Sequence, residues 1–281
     1  MITRKLLITL LKKLVMDELR KRAKELLQTS AVKVVIGYEQ GTANKTRAVF
    51  VERPEDSDKL IFDSRCVQNL ATYVTKQEVK VKGKMAIAAT LPVMRSIIQL
   101  ASEFQVSDRN VQVLGITPES KLIEFKDLVE VESYIHQFQI KIDVRNREIL
   151  DNLGKMTPSE RWKFWIDELE PCFKCYACRA ACPMCYCHRC TVDFNQPQWI
   201  PVPSHVLGNL EWHIMRAIHL TGRCIDCDAC ANACPLAIPV NLLTKKMLED
   251  SKTHFGGYQP SLTAEHLMST YKPDDKDNFI Q

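Results

Sequence analysis

Eleven of the twelve cysteines in this chain fall between Cys172 and Cys234, and their spacing is the first feature with chemical content. Cys172, Cys175, Cys178 and Cys182, followed by Pro183, form C-x2-C-x2-C-x3-C-P, and Cys224, Cys227, Cys230 and Cys234, followed by Pro235, repeat it. Three thiolates at this spacing on one tight loop can reach three iron corners of a cubane, while the fourth cysteine leads away and ligates the other cluster. The proline biases that fourth cysteine toward an extended conformation and turns the chain. On this logic Cys172, Cys175, Cys178 and Cys234 hold one 4Fe-4S cluster, and Cys224, Cys227, Cys230 and Cys182 hold a second. Zinc also favours C-x2-C pairs, but a structural zinc site draws two ligands from each of two separated pairs, and a doubled run of this kind does not fit that economy.

Cys185, Cys187 and Cys190 form C-x-C-x2-C directly after the first run and belong to neither cubane. Soft thiolates at that density predict a third cluster or metal site, with Cys66 folding over from the N-terminal half as fourth ligand. His188 competes for that place, and the plain alternative is that the three are small buried hydrophobes. The charges inside the runs carry a further expectation. Lys174 and Arg179 lie in the first run, Asp226 and Asp228 in the second, where Arg223 is the one nearby base. Positive charge favours an added electron, so the first cluster is expected to be the easier to reduce.

These loops must be held by something. With 281 residues, 46% of them hydrophobic, the chain can bury ordinary cores without disulfide staples. A net charge of +4 gives no nucleic-acid footprint. The apolar stretch 6–11 is far short of the roughly 20 residues a membrane span needs, and no small-residue cleavage site follows it. The expected compartment is a reducing cytoplasm, where thiols persist.

Five regions follow from patterning. Residues 1–30 read as an N-terminal amphipathic helix over 4–28, with a packing role for Leu7, Leu11, Leu14, Val15, Leu19, Ala23, Leu26 and Leu27 and a basic opposite face; Met16 is an alternative start. Residues 31–140 alternate strands (32–36, 48–51, 85–89, 111–115) with helices (67–74, 93–104, 126–136), the signature of an α/β domain. No GxGxxG follows any strand, and Gly37 and Gly41 mark either a turn or a small phosphate cradle. Residues 141–171 form a helical linker, in which Thr157, Pro158 and Glu160 spell an N-cap, a first-turn proline and a capping box. Trp162, Trp165, Ile166 and Leu169 give that helix one apolar stripe, which is ordinarily core and otherwise a conduit toward the clusters.

Residues 172–250 are the two-cluster domain and 251–281 a polar C-terminal tail. Helices expected at 209–221 and 239–248 make the insert between the runs long and helical, so this domain is expected to be all-helical, of the α-helical ferredoxin type. Trp212, Arg216 and His219 share one face of the first of these helices, and His219 is the candidate to tune a cluster by hydrogen bonding.

The residues from Ile36-Gly37-Tyr38, through Cys66 and Asn69-Leu70 and the unit around Arg95, to Leu114-Gly115 resemble the beta subunits of deazaflavin-reducing hydrogenases and formate dehydrogenases. The stretch from Cys172 to Cys190, then Trp212-His213, Arg216-Ala217, His219 and Gly222-Arg223-Cys224, resembles the cluster domain attached to such subunits in anaerobic formate dehydrogenase and heterodisulfide-reductase-type complexes. The likeness spans about residues 31–250. It implies a non-catalytic electron-transfer subunit that passes electrons between a flavin or formate-oxidising site and a ferredoxin or heterodisulfide-reductase-like flavoprotein. Related subunits carry cysteines where this chain has Leu91-Pro92-Val93 and Thr117-Pro118, so the N-terminal domain, with Cys66 as its one thiol, is expected to be a degenerate scaffold. The competing function is a flavin-bearing catalytic subunit that reduces a small carrier; no sequence fingerprint for flavin supports it.

Overall fold

The computed structural model describes residues 4–139, 143–190, 197, 200–256 and 259–263. Helix α1 (Arg4–Gln28) leads into strands β1 (Val34–Gln40) and β2 (Thr46–Val51), which form a hairpin. After the short α2 (Gln77–Lys80) come β3 (Met85–Ala89), α3 (Leu91–Ser102), β4 (Val111–Ile116), β5 (Leu122–Glu124) and α4 (Leu128–Ile135). The sheet order is β2-β1-β3-β4-β5: β1, β3 and β4 run parallel, and both edge strands are antiparallel. The three-residue β5 carried no sequence signal, and the helix expected at 67–74 is only a 3-10 turn, Leu70–Tyr73.

Alternation along the strands builds two cores. Val34, Ile36, Met85, Ile87, Val111 and Val113 face α3 and α4, while Val35, Ala86, Ala88, Leu114 and Ile116 face α1. On α1, Val15, Leu19, Ala23, Leu26 and Leu27 are buried, so the packing role holds there, and each of the larger ones contributes about 1.5–3 kcal/mol by leaving water. Leu14, expected on the same stripe, is exposed. Gly37 lies inside β1, where a Cβ would strike the Leu60 side chain, and Gly41 opens the hairpin loop with its amide on the Lys45 carbonyl at 2.8 Å. The turn reading therefore holds for Gly41, whereas Gly37 is a strand residue whose missing Cβ makes room for Leu60.

The C-terminal half is helical: α5 (Val144–Lys155), α6 (Pro158–Leu169), α7 (Ala177–Ala180), α8 (Val206–His219), α9 (Ala229–Asn232) and α10 (Asn241–Phe255). Helix α6 starts as its sequence dictates, with the reciprocal Thr157–Glu160 capping box formed. Of its stripe, Leu169 is buried and Trp165 and Ile166 are partly covered, whereas Trp162 is exposed. Helix α10 runs on to Phe255, past the boundary expected at 250. Among the described residues no helix is long and apolar enough to cross a membrane.

Candidate iron-sulfur centre

The two cysteine runs fold alike. Each opens with a loop whose third and fifth residues take positive φ: Lys174 at 54° and Tyr176 at 58° in the first, Asp226 at 58° and Asp228 at 57° in the second. A short helix then follows, α7 or α9. Left-handed backbone costs most non-glycine residues roughly 1–2 kcal/mol, aspartate less, so its recurrence at the same two places of both runs marks loops shaped for a purpose. The shape points amide hydrogens at sulfur. The Lys174 amide donates to Cys172 Sγ at 3.4 Å, and the amides of Asp226 and Ala229 donate to Cys224 and Cys227.

The fourth cysteine of each run lies beside the other run. Cys182 is an electrostatic neighbour of Cys224, Cys227 and Cys230, and all four line one cavity together with Arg216. Cys234 is the neighbour of Cys172, which in turn is close to Cys175 and Cys178. Among the described residues no three His, Cys, Asp or Glu side chains gather closely enough to grip a single ion. All twelve cysteines are free thiols.

Helix α8 is the element that grips the first loop. Asn209, His213 and Arg216 sit at i, i+4 and i+7, and all three are buried. Asn209 Nδ2 donates to the Cys172 carbonyl at 2.7 Å and to that of Leu169 at 3.2 Å. His213 Nε2 lies 3.3 Å from Cys172 Sγ, and Arg216 Nη2 donates to the Cys178 carbonyl at 3.1 Å. Burial, aided by Arg216 and Lys174, pushes the His213 imidazole down to about 3, so it is neutral. His219, the residue expected to tune a cluster, is exposed instead. The helical wheel had identified the helix, but the histidine on it that meets a candidate ligand is His213, beside the buried Trp212.

The second loop is set against the α/β domain, which also reaches the end of the first run. Asn69 donates to Cys227 and Arg95 faces Asp226 in the second loop, while Thr72 Oγ1 donates to the carbonyl of Ala180 in the first run at 3.0 Å. Glu103, at the end of α3, accepts from Arg223 Nε at 2.9 Å and from the Tyr186 hydroxyl at 2.6 Å. Burial alone would raise the Glu103 carboxyl, but Arg223 first and then Tyr186 and Gln99 hold it below its ordinary value. Met184 and Leu220 join the core above the sheet. Asp226 and Asp228 are not free charges beside this loop: both pair with the buried Lys245 of α10, Asp228 at 2.9 Å. The charge-based order of potentials expected from the sequence therefore loses its premise, since two cations invisible in the local sequence, Lys245 and the Arg95 that faces Asp226, stand against the two acids.

A cubane fits the residues present. Burial pushes the Cys178 and Cys224 thiols up to about 12, so bare thiolates are disfavoured there, and a bound metal supplies the charge that makes thiolate ligation favourable. Arg216 is buried with cysteines of both runs around it, and its Nε has no hydrogen-bond partner. A polar hydrogen orphaned among sulfurs suits a negatively charged sulfide-bearing group.

Cys185, Cys187 and Cys190 line a common pocket with Arg179, Arg223 and His219. Cys66 is not part of it. Its sulfur accepts from the Asp63 amide at 3.4 Å and faces the Ile61 carbonyl at 4.0 Å, and burial pushes its thiol up to about 11.

A mixed five-stranded sheet with helices, followed by a cysteine-rich helical region consistent with iron-sulfur binding, defines the class of protein. No protein-family model matches the chain. It is distantly homologous to the F420-dependent formate dehydrogenase subunit beta of Methanocaldococcus jannaschii, 29% identical over 140 residues, 48% of this chain and 35% of that protein. The F420-dependent formate dehydrogenase 1 subunit beta of Methanococcus maripaludis is 32% identical over 103 residues, 36% of this chain and 25% of that protein. The chain thus spans about a third of the length of the curated relatives it matches, or less.

Proposed function

We propose that this chain is an iron-sulfur electron-transfer subunit of an anaerobic oxidoreductase complex of formate dehydrogenase, hydrogenase or heterodisulfide-reductase type. In this reading Cys172, Cys175, Cys178 and Cys234 hold an outer 4Fe-4S cluster, and Cys224, Cys227, Cys230 and Cys182 hold an inner one. The observation that carries it is the exchange of Cys182 and Cys234, each lying beside the opposite run. Such clusters accept and release single electrons. The protein's own residues supply the rest: loop amides, Asn69 and His213 lie against sulfur, the Arg216 charge sits among cysteines of both runs, and the α/β domain covers one side of the inner set. The homology to formate dehydrogenase beta subunits favours a flavoprotein or formate-oxidising partner on one side and ferredoxin or a heterodisulfide-reductase-like protein on the other. Residues 31–140 serve here as a docking scaffold without chemistry of their own, and 172–250 as the electron-carrying domain.

The same reading extends to a third metal on Cys185, Cys187 and Cys190, which their spacing suggests. They line one pocket but are not gathered closely enough to grip an ion as they stand, so they would draw together on binding, and Cys66 is set apart from them. Anaerobic purification tests both parts. Two cubanes require about eight irons and eight sulfides per chain. Native protein with iron near zero and stoichiometric zinc overturns the proposal; metal above two cubanes, returning to that level on Cys187→Ser, is the result the third site requires.

A further inference from the structure

We infer that His213 is a tuning residue, donating a hydrogen bond from Nε2 to Cys172 Sγ that raises the reduction potential of the outer cluster relative to the same site without it. The inference rests on the outer cluster proposed above and goes beyond it by assigning work to a side chain that is not a ligand.

The geometry is specific. Nε2 is 3.3 Å from Sγ, within hydrogen-bonding reach of sulfur, and His213 is only 3% exposed, so water does not compete for the contact. The ring is locked from two sides. Trp212 packs edge-on against it with centroids 4.8 Å apart, and Trp212 itself is wedged against Tyr176 of the same loop at 5.3 Å. Cys172 is locked as well, through the Asn209 bond to its carbonyl one helical turn earlier on α8. A cluster-bound thiolate has lone pairs and no hydrogen, so it can only accept, and the tautomer that pairs with it carries its proton on Nε2.

The direction of the effect follows from charge. One added electron takes a 4Fe-4S centre from the 2+ to the 1+ state and makes its ligand sulfurs more negative. A hydrogen bond to such a sulfur strengthens on reduction and so favours the reduced state. The inner loop draws its side-chain donor from Asn69, which also donates to Ser96 Oγ at 2.9 Å. The α8 imidazole therefore acts on one cluster and not on both.

The test compares His213→Gln, which keeps a donor, with His213→Leu, which removes it, in the full chain purified anaerobically, by redox titration monitored by electron paramagnetic resonance. The expected result is parental iron in both, with the midpoint of the cluster disturbed by Cys175→Ser lowered in His213→Leu by about tenfold in its reduction equilibrium, about 59 mV for one electron. The other midpoint stays put, and His213→Gln recovers most of the shift. Unmoved midpoints in iron-complete His213→Leu, or equal shifts in both variants, overturn the inference. If His213→Leu does not assemble clusters, unmutated chain grown with 15N-histidine decides: hyperfine spectroscopy of the reduced protein must show a 15N coupling from histidine, and its absence is disproof. Protein without iron fails the two-cluster proposal itself, which the iron content alone distinguishes.

Discussion

The two cysteine loops have the same spacing and the same backbone, yet they live in different surroundings. In the first, Phe173 is 56% exposed and Cys175 faces solvent; in the second, the equivalent Ile225 is 2% exposed and Cys227 is partly covered. The left-handed positions differ too. Asp226 and Asp228 are residue types that enter this region with little penalty, whereas Lys174 and Tyr176 are not. Lys174 is held by its ammonium on the carbonyls of Pro201 and Pro203, and Tyr176 by its ring on Trp212. One loop is thus secured from outside by α8 and the segment before it, the other from inside by α10 and the α/β domain. A duplicated ligand motif specifies the loop, while the surroundings differ: the first loop is more open to solvent, and the second is joined to the sheet domain.

If the loops exchange their fourth ligands, the largest effect comes from breaking that exchange. Cys182→Ser is expected to lose or distort the inner cluster and Cys234→Ser the outer one, each variant falling from about eight irons toward about four. Iron analysis with resonance spectra of the remaining cluster reads this directly. Should each substitution damage only the cluster of its own run, the crossed assignment is wrong.

Next in size is the difference between the two lysines. Lys245 is 2% exposed in its side chain and balances two carboxylates, of which Asp226 is equally buried. Lys245→Met leaves a buried carboxylate unpaired, a loss of roughly 3–5 kcal/mol. Lys174→Met deprives two carbonyls of a donor but strands no charge, so its expected cost is about 1–3 kcal/mol. Urea unfolding of the anaerobic proteins should rank them in that order, and equal midpoints would show that the two loops are anchored alike after all.

What could be read in advance follows the range of the forces involved. The capping box at Thr157, strand β3 and the repeated cysteine spacing are local, so their residues announced themselves. The motif also anticipates a departure of the fourth cysteine from its own loop, and Cys182 and Cys234 do lie beside the opposite runs; that they ligate there is the proposal the two serine variants test. Lys245 was not: it meets Asp226 from nineteen positions along the chain, on another helix. Nor was His213, because periodicity gives a helix its faces without saying which neighbour each face will meet. Cys66 was matched to distant cysteines by residue type alone, and the fold keeps its sulfur among residues 61–66.

The smallest expected effect concerns the acids of the second loop. Taken from the sequence, Asp226 and Asp228 each push the inner potential down, and removing either should raise it by a similar amount. In the fold they share Lys245, with Arg95 also facing Asp226, so the field at the inner cluster is that of a compact and largely balanced group. Asp228 is the one to change, since its side chain is 34% exposed and Asn keeps an oxygen to accept from Lys245. Solvent screening at that exposure and the remaining Asp226–Lys245 pair both weaken the change. Asp228→Asn should therefore raise the inner midpoint by less than tenfold in its equilibrium, under about 59 mV, and leave the outer one unmoved. A larger rise would mean that Lys245 does not screen the acids, and the order of potentials first drawn from the charges in the two runs would stand again.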